Sequence, residues 1–406
     1  MKINILYYRT GIFVAILSSI ACHKDNGHNN PVVPKDTLTQ DTYTIISGGN
    51  SPAATILASP FSSAATPFVD YPGLLLVMDQ DGNVLKKKTT DEMASCFERW
   101  TINGQTRYSY FLNDISVYRA PGTDNFAGSA VIADSNLQEI KRIHFVPAGT
   151  GPFNPGQDLD LHDFILLSDD HYIAMTYYPK HVSNIPAYLG PSPNAVVQVP
   201  LIEEVNNGSV IWQWDPSSDT SFYANSVEGN NYADSTAAQD YMHMNAMYID
   251  SADNNIVCSF RNQNQILKIN RSTGAILWRL GGKNSDFPLY SDQVFLRQHD
   301  PSLTDNNQTL LIFDNGEATL RPESRILEFK LDEKNKKVIS FKSFTIPEPF
   351  TYFMGSVQKN GDEYFIGGGT ANYILEINYV TGEKIKEFEG GSYSTYRAYN
   401  FPNISR

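Results

Sequence analysis

Short apolar runs separated by polar turns fill this chain, and almost none of them has the spacing of an amphipathic helix. Six segments share one pattern: an apolar strand, a turn rich in Gly, Asn or Asp, and a second strand that often begins with Gly. They run from Gly73 to Leu85, Ala130 to Ile140, Ala195 to Trp214, Gln265 to Trp278, Arg325 to Ile339 and Tyr373 to Ile385. Recurrence at roughly 50–70 residues fits blade-sized units with some long loops. Each segment reads as the outer hairpin of a four-stranded blade. Six of them predict an all-β, six-bladed β-propeller over residues 71–406, closed so that no long strand edge stays open. A pair of β-sandwiches is the alternative, but it leaves the repeated phase unexplained. Residues 39–70 precede the first clear hairpin. They are expected to add a short N-terminal β extension or to complete a blade by closing the ring.

A second regularity lies on top of the first. Three of the eight histidines fall at one phase of the repeat, in His162-Asp163-Phe164, His243-Met244-Asn245 and His299-Asp300-Pro301. An apolar run follows each after about 10 residues, as a paired strand would. In a propeller the first strand of each blade lines the central channel, so these imidazoles are expected to meet there. The sixth blade has Gly355-Ser356 at that point, so histidine is not needed to build a blade. Arg261 and Asn315 end the second strands of two successive blades and are expected at the same end of the channel. An arginine offers a rigid fork of donors for a tetrahedral oxyanion. Three histidines also raise the possibility of zinc, but they lack a local ligand motif and a nearby Arg would repel a cation. No metal is expected.

Composition narrows the classes. Of 406 residues, 41% are hydrophobic and 12% aromatic, enough for a large β core. The net charge of −13 argues against a general nucleic-acid or bilayer-surface binder, without excluding an anionic substrate in a local basic pocket. Lys2 and Arg9 precede the apolar run Gly11–Leu17, and small residues follow up to Ala21-Cys22. Residues 1–21 therefore read as a signal peptide, whose apolar run is too short to span a bilayer. Cys22 reads as the acylated cysteine of a bacterial lipobox, with Ser19 where Leu is commoner. Residues 22–38 read as a flexible tether. The expected address is the bacterial cell envelope, with membrane contact only through the lipid. Cys96 and Cys258 read as buried free thiols, with a disulfide as the alternative.

The run from His243-Met244-Asn245 through Ser259-Phe260-Arg261-Asn262-Gln263 and Lys268–Gly274 to Ile276–Gly282 resembles the bacterial arylsulfotransferases. So do His162-Asp163-Phe164, Gln298-His299-Asp300, Phe313-Asp314-Asn315-Gly316, Ser324-Arg325 and Tyr396-Arg397-Ala398. The likeness runs from about residue 70 to the C-terminus. It implies a six-bladed propeller that moves a sulfuryl group from an aryl sulfate to a phenolic acceptor, with no nucleotide donor and no cofactor. It also implies that His299 is the transiently sulfated residue, with His162, His243, Asn245 and Arg261 around it. Two departures bear on donor and acceptor preference: Ala246 stands where the family often has Ser, and the N-terminal domain is abbreviated. The second weakens an inference of dimerisation through that domain and leaves the oligomeric state open.

The resemblance leads to a scheme in which neutral His299 attacks sulfur and Asp300 orients it. Arg261, Asn245 and Asn315 contact the substrate, and His162 or His243 moves a proton. Two other readings stay open. Water in place of phenol would make the chain an aryl sulfate hydrolase, although it lacks the Cys/Ser-x-Pro-x-Arg context of the common sulfatases. Tyr108, Tyr110, Tyr177, Tyr178 and Tyr352 at the channel mouth would suit a non-catalytic binding or scaffold propeller.

Overall fold

The computed structural model describes residues 43–48, 54–62, 73–113, 127–148 and 158–402. The chain divides into Met1–Thr37 and Leu38–Arg406. The signal segment, Cys22 and the tether lie outside the described residues. In the second unit almost every element is a strand, and the strands form six antiparallel sheets, the blades of a propeller.

The six hairpins read from the sequence are the third and fourth strands of the six blades. One turn is built six times. Each hairpin carries a register shift beside its turn. Each also has a left-handed residue there: Gly82, Leu137, Gly208, Gly274, Lys336 and Gly382. An extra residue with positive φ makes the bulge that lets a short loop join two twisted strands, which is why Gly fills four of the six places. Burial follows strand position. The third strands Gln265–Ile269 and Tyr373–Asn378 are buried along almost their whole length. The outermost strands Val84–Thr90 and Ser209–Trp214 alternate between exposed and half-buried, as a sheet with one wet face requires. Apolar clusters fill the gaps between neighbouring blades, for example Val257, Trp278 and Leu280 against Leu310, Ile312 and Phe329.

Three blades follow one another in simple order. They begin with the inner strands Phe164–Ser168, Met244–Asp250 and His299–Thr304. The ring closes elsewhere. The C-terminal strand Tyr393–Pro402 is the innermost strand of the sheet that continues with Ala54–Ser62, Gly73–Asp79 and Val84–Thr90. Thr44–Gly48 adds a fifth, outermost strand to the blade of Ser356–Asn360 through Lys384–Glu389. Of residues 39–70, the described strands Ala54–Ser62 and Thr44–Gly48 thus complete one blade and extend another. Cys96 and Cys258 are two separate buried free thiols.

One buried carboxyl marks where the fold is sensitive to pH. Glu203, on the strand Val196–Asn206, is pushed up to about 7 by burial, against hydrogen bonds from Gln213 and the Val146 backbone. Between 4.5 and about 7 the folded state therefore binds a proton that the unfolded chain releases. This contribution to stability is complete below the lower value and is lost as pH rises through the upper one. Glu203→Gln keeps the shape without the titration. Its stability relative to wild type should rise by roughly 2–3 kcal/mol between about pH 5 and pH 8. Denaturant midpoints at the two pH values measure this, and a difference independent of pH would refute it.

Candidate active site

Each of the three histidines stands at the start of an innermost strand, where the chain turns into the channel. His162 follows Asp160, whose Oδ1 accepts from both the His162 backbone N–H at 3.0 Å and the ring Nδ1 at 2.5 Å. The next blade repeats the device with one more residue. Asp240 accepts from the His243 N–H at 3.0 Å and from its Nδ1 at 2.6 Å, and His243 takes a left-handed φ of 50° to close the loop. In both dyads a carboxylate fixes the ring through Nδ1 and leaves Nε2 outside the dyad. The two rings meet edge to face with centroids 5.0 Å apart.

His299 is held differently. Its Nδ1 donates to Asn315 Oδ1 at 2.7 Å and lies 3.1 Å from the Arg297 carbonyl, while Nε2 accepts from the Met354 N–H at 3.2 Å. Two acceptors at one nitrogen and a donor at the other select the neutral Nδ1–H tautomer. Burial, and after it the charge of Arg261, holds the His299 pKa well below its ordinary value, and His243 and His162 push the same way. The ring is therefore neutral at neutral pH, with a lone pair on Nε2.

Asn315 owes its place to a rigid support. Asp314, fully buried, accepts from Arg321 at 2.6 Å and from Arg325 at 2.8 Å. Ser324 Oγ donates to the Asn315 carbonyl at 2.9 Å. Gly316 has φ 83°, and a Cβ there would lie 2.6 Å from the carbonyls of Arg321 and Glu323. The Asn315 amide donates to the carbonyls of Thr351 and Met354, tying His299 to the segment that crosses above it.

The remaining expected site residues have partners of their own. Asn315, expected to contact substrate, is occupied with orienting His299. Asn245 is completely buried and donates to the Gln298 carbonyl at 2.8 Å, so it sets the backbone ahead of His299. Asp300 does not orient His299. A φ of 46° turns the chain at Asp300, and its carboxylate accepts from Tyr399 Oη at 3.0 Å and the Val357 N–H at 3.2 Å. Tyr108 and Tyr110 pack between blades with Phe97, and Tyr177 and Tyr178 lie in a neighbouring apolar cluster. Of the five tyrosines, Tyr352 is the exposed one.

Arg261 follows its strand at the inner end, with its N–H on the His243 carbonyl at 2.8 Å. Its guanidinium pairs with Glu228, not with Asp163, Asp240 or Asp300. Below the histidines lies a second polar layer. Arg397 donates to the carbonyls of His162 and Asn245 at 3.2 and 3.0 Å and to Asp163 at 3.2 Å, with Glu98 and Asp300 at 3.5 and 3.6 Å. Burial pushes the carboxyls of Glu98 and Asp300 up. Among the described residues, no cluster of three or more His, Cys, Asp or Glu could hold a metal ion.

Sequence reading missed four contributors. Asp160 and Asp240 carried a local signal, since an acid two or three residues before a histidine can cap its N–H and its ring together. Glu228 and Arg297 carried none, because long turns place them.

Comparison with solved structures gives the fold alone. A protein of unknown function from Bacteroides caccae aligns at 10% identity and a TM-score of 0.50, over 86% of this chain and 99% of that one. The β-propeller domain of Cps50 (Swd1) from Myceliophteria thermophila aligns at 10% identity and a TM-score of 0.42, over 86% and 90%. No curated protein matches the sequence. A family model described as arylsulfotransferase (ASST) matches residues 155–397, a span that holds all three histidines, both dyad aspartates, Arg261 and Arg397.

Proposed function

This chain belongs to the arylsulfotransferase family, and from that premise we propose that it carries a sulfuryl group from an aryl sulfate to a phenol on His299. The observation that carries the proposal is the state of that ring: buried, neutral, and held through Nδ1 by an amide oxygen. The Nε2 lone pair attacks sulfur, once the Met354 N–H has been given up. The bond from sulfur to the aryl oxygen breaks, and its electron pair leaves with the phenolate. His162 or His243 gives that oxygen a proton from Nε2. Positive charge then develops on the sulfated ring, where the Nδ1–H to Asn315 bond strengthens, and Arg261 faces the sulfuryl oxygens. In the second half the same histidine takes the proton of an acceptor phenol, whose oxygen attacks sulfur and frees His299. Sulfur passes through two transfers, so the kinetics are ping-pong. No cofactor enters. The reading of residues 1–21 as a signal peptide, with Cys22 as the acylated residue, supports a lipid-anchored form in the bacterial envelope.

A rapid-mixing experiment with excess 4-nitrophenyl sulfate and no acceptor tests the scheme. About one equivalent of 4-nitrophenolate per chain is expected, with a matching mass gain on His299 and steady turnover only when phenol is added. Continuous release without phenol would identify a hydrolase. No release at all would leave a binding propeller.

A further inference from the structure

Glu228 lies between two guanidiniums. Its Oε2 accepts from Arg261 Nη1 at 3.2 Å, and its Oε1 from Arg297 Nε at 2.5 Å. The backbone around it is pinned. The Val227 N–H donates to the Asn262 carbonyl at 2.8 Å, and Ser226 Oγ to Glu228's own carbonyl at 2.6 Å. Gly229, at φ 60°, presses so closely on Asp240 that a Cβ would meet its carbonyl oxygen at 2.1 Å. The turn therefore docks on the same aspartate that orients His243, and only the side chain of Glu228 is free to leave. That side chain is 29% exposed, so rotation carries the carboxylate into water.

Arg297 stands two residues before His299, with φ 53°, and its own carbonyl helps hold the His299 ring. On its other side the guanidinium has a loose partner in Glu317 at 3.8 Å. Arg261 and Arg297 repel one another, and a shared anion is what allows them to stay close. In the resting protein Glu228 supplies it.

We propose that Arg261 and Arg297 form a two-guanidinium clamp for the sulfuryl oxygens, and that Glu228 is its resting occupant, displaced by the sulfate ester. The clamp rests on the sulfuryl-transfer reading for its ligand. A carboxylate and an aryl sulfate each carry one negative charge, so the exchange leaves the net charge at the arginines unchanged. A guanidinium fork matches the oxygens of a tetrahedral oxyanion as it does those of a carboxylate, and the tetrahedral group offers three oxygens to the two forks. Glu228 thus keeps the clamp assembled between turnovers and raises the concentration of ester needed to fill it.

The probe is inorganic sulfate, measured by calorimetry on the full chain and as a competitor of 4-nitrophenyl sulfate. Glu228→Gln is expected to tighten sulfate binding about 5-fold or more and to lower KM in parallel. Arg297→Gln, with Glu228 in place, is expected to weaken sulfate by a similar factor. Weaker or unchanged sulfate binding in Glu228→Gln would overturn the proposal, since a carboxylate that only orients Arg261 gives that result. Unchanged binding in Arg297→Gln would overturn it independently. Sulfate binding is read without turnover, so the two readings fail separately. Tighter sulfate without a phenolate burst keeps the clamp and removes the transferase, and a burst with unaltered sulfate affinity does the reverse.

Discussion

Replacing His299 with asparagine is expected to abolish sulfuryl transfer and leave the propeller folded. Asparagine is shorter and offers no ring nitrogen that can form and break a bond to sulfur. Neither His162 nor His243 stands in its place, because each opens the inner strand of another blade and is fixed there by its own aspartate. Loss of a covalent nucleophile should reduce turnover of 4-nitrophenyl sulfate with phenol by about 10⁴-fold or more. The burst and the mass gain should vanish together. Stability should fall by only about 1–3 kcal/mol, the scale of the hydrogen bonds given up at Asn315 and Met354. Wild-type kinetics carry a related signature. Burial and Arg261 depress the His299 pKa well below 6.5, so the nucleophile keeps its free pair as pH falls through that value. The acid limb that His299 sets on kcat/KM should accordingly lie well below pH 6.5. A burst surviving in His299→Asn would remove the covalent scheme.

The second large effect falls on stability. Arg397 is 2% exposed and is the cation facing Asp163, Glu98 and Asp300 at the hub. It comes from the C-terminal strand and reaches carbonyls in two other blades, at His162 and Asn245. Arg397→Ala leaves those carboxyls buried without a counter-charge and two carbonyls without their donor. Breaking a buried pair from one side costs about 3–5 kcal/mol, against a total for ordinary domains of about 5–15 kcal/mol. The loss should also depend on pH. Without the guanidinium, Glu98 and Asp300 hold their protons still more tightly in the folded state. The variant's stability is then retained at low pH and lost as pH rises. Denaturant titrations of both proteins at about pH 5 and pH 8 give the measurement. A loss under about 1 kcal/mol, or one equal at both pH values, would contradict the assigned role.

How much of this was legible beforehand follows from what each element depends on. The outer hairpins could be read because their turns are local: a left-handed residue and a bulge recur at one place, and Gly marks most of them. The inner strands were harder. His299–Thr304 contains Asp, Pro, Ser and Thr and has little β character of its own, so the scarce histidines signalled its phase better than its apolar content did. Directions of side chains were less accessible. Asp300 follows His299 directly yet points elsewhere, because a left-handed φ separates the two. Nothing in the neighbours of Asn315 says that its oxygen meets a ring 16 residues earlier. Glu228 and Arg297 lie in turns whose course is set by distant partners, Asn262 and Asp240 for one and Asn264 for the other. No local spacing encodes such contacts.

The strand Tyr393–Pro402 is synthesised after every other described strand, yet it occupies the innermost place in a blade whose other strands begin at Ala54. A nascent chain can lay down five blades in succession while the hub still gapes. Arg397 arrives only at the end, and until then the carboxylates it neutralises have no reason to converge. Closure of the hub must therefore wait for this strand, and a product cut short before Tyr393 should emerge as an open, protease-sensitive crescent.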